Sequence, residues 1–196
     1  MRAWAAAEVL NKEITTFVEF YRAELQRTGV DVRLGAEATE ADVDGYDTVF
    51  LATGTESAGA PQGAIDAVQM LADRRAPEAQ ELTVRGDTET AMFAALWLAE
   101  QGRKVTLSSP SADVGLDTND MQRNHLKGLL AARNVTIVTD QPAPAGGAVV
   151  WAQDRTASDA MAATVDGERV RTIGTRFRGG RMYEATQSGF WAAAEV

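Results

Sequence analysis

The sequence of 196 residues predicts an α/β fold with a largely parallel, Rossmann-like sheet. Segments with strand character alternate with amphipathic helices along the chain, as a sheet with crossover helices requires. Residues 82–107 have the strand, glycine turn, helix and strand of a dinucleotide-binding unit. Two Gly/Pro/Ala-rich linkers, 57–63 and 141–147, bracket that stretch and predict a second domain inserted into the first.

The part before the first linker predicts one helix and two strands. Residues 13–27 predict a helix because apolar side chains recur at helical spacing, at Ile14, Phe17, Val18, Tyr21 and Leu25. Residues 30–34 alternate between apolar and polar and predict a short strand. Residues 46–53 form a nearly continuous apolar run, which is typical of a buried parallel strand, and Gly54 ends it.

The bracketed block predicts its own alternation of strands and helices. Helices are predicted over 64–72, 90–101 and 120–133, and strands over 82–84, 104–107 and 135–139. After the second linker the pattern predicts strands over 148–152 and 170–174 and helices over 156–163 and 181–196. With this assignment, residues 1–57 and 148–196 pair to form one domain, and residues 64–140 form the inserted domain.

Composition restricts the partners. The net charge of −9 and the pI of about 4.7 argue against nucleic acid and against an anionic membrane surface, because both would repel the chain. The absence of cysteine excludes disulfides, thiolate zinc sites and cysteine-ligated iron–sulfur clusters within this sequence. It also fits a cytoplasmic protein. No apolar run approaches the roughly 20 residues that a membrane-spanning helix needs.

The glycine turn after residues 82–84 departs from a full phosphate-binding motif. The three positions of G-x-G-x-x-G fall on Gly86, Thr88 and Ala91. Thr88 puts a β-branched side chain where the backbone should approach a pyrophosphate, and the carboxylates of Asp87 and Glu89 would repel one. Two interpretations stay open: a nicotinamide dinucleotide at the helix N-terminus, or a helix start capped by Asp87 or Thr88.

Other candidate site residues have similar alternatives. Residues 176–181 (RFRGGR) place arginines and two glycines before the closing helix, which predicts either an anion site or a solvated loop. His125 is the only histidine and is expected at the surface of its helix. No catalytic dyad and no metal-ligating set emerges from the spacing.

The order of several motifs resembles a family. LATG at residues 51–54 resembles the strand-end motif of flavoproteins with two dinucleotide domains. VRTIG (170–174) followed by RMYEATQSG (181–189) resembles their closing strand and helix, and AELQRTGVDVRLG (23–35) resembles the segment before LATG. The bracketed block is similar to the C-terminal region of NADH:flavin oxidoreductases of the trimethylamine dehydrogenase and 2,4-dienoyl-CoA reductase type, which are related to old yellow enzyme.

The resemblance implies a partial FAD/ADP-binding-type domain with an NAD(P)-binding-type domain inserted. It implies that ADP, FAD or NAD(P)H is held by Ala52, Thr53, Gly54, Gly86, Thr88, Gly174, Thr175, Arg178, Arg181 and Met182. Thr175 departs from the family, which has aspartate after the glycine of the closing strand. FMN and a 4Fe–4S cluster would belong to an N-terminal barrel portion outside this chain. That portion, in the same enzyme or as a separate subunit, and an electron-transfer protein are the expected partners.

These features lead to one expected function and two alternatives. The chain is expected to be the C-terminal portion of a flavin-dependent oxidoreductase, an amine dehydrogenase or demethylase or an enoate reductase, contributing nucleotide binding or docking without catalysing a reaction alone. The first alternative is a structural or interaction domain with an empty nucleotide cleft. The second, a free-standing NAD(P)-binding enzyme, is opposed by the incomplete glycine motif.

Overall fold

The first described elements are two helices, which are followed by two short strands. The computed structural model describes residues 11–142, 147–153, 155–158, 165, 167–176 and 182–196. Helix α1 (Asn11–Arg27) covers the predicted helix, and its end is followed by Gly29 in the left-handed region. A single helical turn, α2 (Glu40–Val43), precedes strands β1 (Val49–Leu51) and β2 (Thr55–Ser57).

The middle of the chain forms a five-stranded parallel sheet with three helices. Its strands are β3 (Ile65–Asp66), β4 (Glu81–Arg85), β5 (Lys104–Ser108), β6 (Thr136–Val138) and β7 (Val149–Trp151). They lie in the order β3-β7-β4-β5-β6, and each neighbouring pair is parallel. The helices are α3 (Ala67–Asp73), α4 (Glu89–Glu100) and α5 (Asp120–Ala132). This confirms the prediction of a mixed α/β fold with a mostly parallel sheet.

Helix α4 is the centre of the main hydrophobic core. Its side chains are apolar around most of the circumference, and residues 91–96 have no solvent exposure. A helix of this composition is stable only when it is enclosed. It packs against β4 and β5 and against helices α3 and α5. Burying a side chain such as Phe93 or Leu96 contributes about 1.5–3 kcal/mol of stability.

The remaining strands form two small pairs. β1 pairs in parallel with β9 (Val170–Thr172), and β2 pairs antiparallel with β8 (Arg155–Ala157). A 3-10 turn (Gly174–Arg176) follows β9, and helix α6 (Met182–Ala194) comes near the end of the sequence. Val49, Leu51 and Val165 form a second, small hydrophobic cluster.

The chain divides into two compact units. The first contains the described residues of Met1–Asp31 and Gly59–Gln153, and the second contains those of Val32–Ala58 and Asp154–Val196. The predicted division placed residues 148–196 with residues 1–57. The structure differs for residues 11–31, which belong to the first unit, and for β7, because Val150 of β7 pairs with Val84 of β4 and with Ile65 of β3. The strand after the second linker therefore continues the five-stranded sheet.

Three other predictions need correction. Residues 30–34 form no strand, because no strand within the described residues pairs with them, and Val30, Val32 and Leu34 are exposed. The predicted helix over 156–163 begins inside β8, where Thr156 pairs with Glu56, and its residues 159–163 lie outside the described residues. The helix predicted over 64–72 begins only at Ala67, after β3.

Within the described part of the chain, no helix combines the length and apolar character that crossing a membrane requires.

Candidate functional site

Most of the predicted site residues lie at three strand ends, one in the first compact unit and two in the second. In the first unit, Gly86 and Thr88 connect β4 to α4. In the second unit, Ala52, Thr53 and Gly54 follow β1, and Gly174 and Thr175 follow β9. The carboxyl ends of parallel strands are where α/β sheets bind ligands.

Gly86 is required by the packing of the chain itself. Its φ is +153°, which side-chain-bearing residues rarely adopt. A Cβ atom at this position would lie 2.7 Å from the carbonyl oxygen of Ala152 and 3.1 Å from the Cβ of Ala91. Because the first of these atoms belongs to the backbone after β7, it cannot move aside easily. The packing of the chain therefore explains why position 86 is glycine, and no ligand is needed for this explanation.

Thr88 is the N-cap of helix α4. Its Oγ1 accepts a hydrogen bond from the N–H of Ala91 at 3.2 Å and donates one to the carbonyl oxygen of Ala152 at 3.0 Å. The sequence left open whether this turn binds a nucleotide or caps the helix. The cap is confirmed, with Thr88 and not Asp87 supplying it. The side chain of Asp87 instead accepts a hydrogen bond from the hydroxyl of Ser111 at 2.6 Å.

The loop after β5 reaches the same helix N-terminus. The N–H of Glu89 donates to Oδ1 of Asp117 at 2.6 Å, and the N–H of Leu116 donates to the carbonyl oxygen of Asp87 at 2.9 Å. Sequence reasoning found no role for Asp117. Its partner lies 28 residues away, and no local pattern announces a contact over that distance. The helix start is thus capped by a side chain from each of two segments.

In the second unit, parallel pairing brings four predicted residues together. β1 and β9 run side by side, so their carboxyl ends lie at one edge. Among the described residues, a Cβ on Gly54 would have as its nearest neighbour the Oγ1 of Thr175, at 3.9 Å. A Cβ on Gly174 would have the Cβ of Ala52, at 4.0 Å. Both glycines have a φ of +73°. We call Ala52, Gly54, Gly174 and Thr175 the glycine cradle.

Hydrogen bonds attach the glycine cradle to neighbouring segments. The hydroxyl of Thr53 donates to the carbonyl oxygen of Ser158 at 3.2 Å. The N–H of Ser158 donates to the carbonyl oxygen of Gly54 at 3.1 Å. The N–H of Gly174 donates to Oγ of Ser188 at 2.8 Å, which ties the end of β9 to α6. Sequence reasoning missed Ser188, because a serine inside a helix carries no signal for such a contact.

The other candidate residues lie on helices or outside the described part of the chain. Met182 is the first residue of α6 and is half-buried. Arg178 and Arg181 lie outside the described residues. His125 is exposed on α5, as predicted. Across the described ranges, no group of three or more histidine, aspartate or glutamate side chains is arranged to hold a metal ion.

Comparisons with known proteins relate the chain to oxidoreductases. No protein-family model matches the sequence. It is 27% identical over 226 aligned positions to a protein named NADH oxidase from Thermoanaerobacter brockii, an alignment that covers 98% of this chain and 35% of that protein. The chain therefore spans about a third of the length of this relative.

Solved structures show the same fold. The structure of a 2-naphthoyl-CoA reductase in complex with 2-naphthoyl-CoA matches with a TM-score of 0.86 at 22% identity, covering 100% of this chain and 34% of that one. Histamine dehydrogenase from Rhizobium sp. 4-9 matches with a TM-score of 0.69 at 19% identity, covering 82% of this chain and 32% of that one. At these identities the likeness is one of fold.

Proposed function

We propose that this chain is the C-terminal portion of a flavin-dependent oxidoreductase related to the NADH:flavin oxidoreductases, and that its glycine cradle holds the ADP part of a nucleotide. The similarity to a protein named NADH oxidase over 98% of the chain supports the first statement. The observation that carries the second is the pair of left-handed glycines, Gly54 and Gly174, at the ends of two adjacent parallel strands.

The residues of the glycine cradle fit a nucleotide phosphate or ribose. A glycine without Cβ lets a ligand approach the backbone closely, and the ends of parallel strands are the usual place for this contact. Thr175 stands where the resembled family has aspartate. Its hydroxyl can donate and accept hydrogen bonds, and it carries no negative charge that would repel a phosphate. ADP is the part shared by FAD, NADH and NADPH, so these are the candidate ligands.

The redox groups of the complete enzyme would lie in another portion. FMN would supply the electron chemistry there, and the chain itself has no cysteine with which to ligate a 4Fe–4S cluster. The proposed partners are an N-terminal FMN barrel portion, in the same polypeptide or as a separate subunit, and an electron-transfer protein. In this proposal the chain binds and docks, and it catalyses no reaction alone.

Among the described residues β1 pairs only with β9, and the other edge of β1 supports the docking role. The N–H of Val49 and the carbonyl oxygen of Leu51 form hydrogen bonds toward β9. In a parallel ladder, alternate residues direct their backbone groups to opposite sides, so Phe50 directs its groups away from β9. Phe50 is 38% exposed. A sheet of two short strands is rarely stable alone, and this edge has the geometry to accept a further strand from the partner portion.

Thermal unfolding in the presence of nucleotides tests the proposal. ADP, FAD, NADH and NADPH are each added at millimolar concentration to the wild-type chain. A ligand that binds only the folded state raises its stability by about 2.7 kcal/mol when its concentration is 100 times its Kd. We expect an increase in Tm with ADP and with at least one of the ADP-containing cofactors. Unchanged melting with all four would contradict nucleotide binding.

A structural or interaction domain without any ligand is the alternative function. The closure of the first unit's helix N-terminus by Thr88 and Asp117 favours this alternative for that unit. Two results together would support this alternative. The Tm would not change with any of the nucleotides, and the chain would bind a separately expressed barrel portion.

A further inference from the structure

We propose that loop 109–119 closes the anion-binding end of helix α4 with the carboxylate of Asp117, so that the first unit takes no dinucleotide phosphate there. Asp117 then acts as the anion of this helix terminus, in the place that a ligand's phosphate takes in a ligand-binding sheet of this kind. The inference is based on the first unit alone and does not depend on a ligand in the glycine cradle.

The hydrogen bonds at the start of α4 show how the terminus is occupied. The first N–H groups of a helix lack partners within the helix and are available to an anion. Here the N–H of Glu89 donates to Oδ1 of Asp117, and the N–H of Ala91 donates to Oγ1 of Thr88. The N–H of Met92 already bonds to the carbonyl oxygen of Thr88 within the helical pattern. Two of the first three N–H groups are therefore taken by side chains.

The loop is fastened over the helix, so Asp117 is held in place. Val114 is completely buried in the main core. Gly115 packs so closely on α4 that a Cβ would lie 2.6 Å from Sδ of Met92, and its φ is +65°. The hydroxyl of Thr118 donates to a carboxylate oxygen of Glu89 at 3.2 Å. Removal of Asp117 from the helix would therefore require displacement of a packed segment.

Charge at the terminus agrees with this closure. The carboxylate of Asp87 accepts from Ser111 beside the first turn, and the carboxylate of Glu89 belongs to that turn. Together with Asp117 they place negative charge where a pyrophosphate would have to approach. It follows that a nucleotide titrated into the whole chain would find this end of α4 closed.

Replacement of Asp117 by a smaller residue provides the test. We expect Asp117→Ala to lower Tm by about 2–4 °C, which is the shift expected for loss of one charged helix-end contact in a chain of this size. Sodium formate, a carboxylate small enough to fill the space, is then expected to recover part of this loss. Sodium chloride at the same ionic strength is expected to recover none.

Two further variants make the result specific. Asp120→Ala removes an exposed carboxylate whose side chain pairs with Arg123, and formate is expected to change its Tm no more than that of the wild type. Asp117→Asn retains the shape of the side chain, and we expect the amide proton resonance of Glu89 to move upfield in its NMR spectrum. The proposal would be overturned if the amide proton resonance of Glu89 did not move in Asp117→Asn. It would also be overturned if formate and chloride changed the Tm of Asp117→Ala equally.

Discussion

The glycine after β4 and the glycines after β1 and β9 occupy corresponding places in their sheets, but their surroundings differ. A Cβ on Gly86 would meet a backbone carbonyl oxygen at 2.7 Å, whereas a Cβ on Gly54 or Gly174 would meet its nearest described neighbour at 3.9 or 4.0 Å. The first turn is filled by Ala152 of the same chain. The glycine cradle has ordinary van der Waals spacing; its member Ala52 is exposed, and so is Thr53 beside it.

This difference shows that a glycine at a strand end has two separate physical uses. At Gly86 the absence of a side chain allows two backbone segments of one sheet to pack closely. At Gly54 and Gly174 it allows a left-handed turn and leaves the strand ends accessible. A degenerate glycine motif can therefore be retained for packing in one unit, while the other unit keeps the features that a ligand needs.

The largest expected effect is that of Gly86→Ala. The new Cβ would overlap the carbonyl oxygen of Ala152 in a conformation already unfavourable for alanine, so we expect a loss of about 3 kcal/mol in the free energy of unfolding. Urea denaturation followed by tryptophan fluorescence measures it, since Trp97 and Trp151 lie in this unit. A loss below that of its control would show that the turn is not packed as described.

The control for Gly86 is Gly102→Ala. Gly102 also has a positive φ, +76°, but its added Cβ would have no described neighbour within 4 Å. It therefore isolates the cost of the left-handed backbone, which is about 1–2 kcal/mol. The excess loss in Gly86→Ala over this control combines the contact with Ala152 and the difference in backbone strain between a φ of +153° and one of +76°.

Gly54→Ala is expected to have a smaller effect on stability and a specific effect on binding. The φ of +73° costs alanine about 1–2 kcal/mol, and no close contact with a described residue adds to this. If the glycine cradle holds the ADP part of a ligand, the new methyl group obstructs it and the increase in Tm with ADP disappears. Gly45→Ala is the matched control, because Gly45 has a φ of +82° and open space. An undiminished response to ADP in Gly54→Ala would place the ligand elsewhere.

Local signals predicted most of the first unit. The helix predicted over 90–101 is Glu89–Glu100, and the helix predicted over 120–133 is Asp120–Ala132. These predictions succeeded because apolar spacing and cap residues are properties of adjacent positions. The same kind of signal failed at residues 30–34, where apolar and polar residues alternate but the described part of the chain provides no partner strand.

Contacts between distant segments could not be predicted in the same way. The pairing of β2 with β8 joins short polar segments, and Arg155 strengthens it with hydrogen bonds to Oγ1 and the carbonyl oxygen of Thr55. Nothing in either segment alone indicates the other. The contact of Asp117 with Glu89 is of the same kind. By contrast, the proximity of Gly54 to Thr175 and of Gly174 to Ala52 follows from two adjacent parallel strands with a glycine after each.

The smallest expected effect concerns Asp113, which fastens the closing loop to α5. A hydrogen bond from Lys127 is the main cause that holds the pKa of the Asp113 carboxyl below its ordinary value, with smaller contributions from the N–H of Val114 and the charges of Lys127 and Arg123. A lowered carboxyl pKa stabilises the fold above the unfolded-state pKa, near 4, and this stabilisation is lost as the pH falls through the folded-state pKa. The side chains of Asp113 and Lys127 are both slightly more than a third exposed. Solvent screening therefore keeps the contribution of the pair to about 0.5 kcal/mol.

Asp113→Asn is therefore expected to be slightly less stable than the wild type at neutral pH. The difference should vanish once the pH falls below the lowered folded-state pKa of Asp113, where the carboxyl is protonated in both states. Urea denaturation at several pH values measures this convergence. Glu78→Gln, which changes an exposed carboxylate before β4, should show no comparable difference at neutral pH. If the Asp113→Asn curve stays parallel to the wild-type curve down to acid pH, the ion pair with Lys127 does not hold the loop. The closure at Asp117 would then depend on the packing of Val114 and Gly115 on α4.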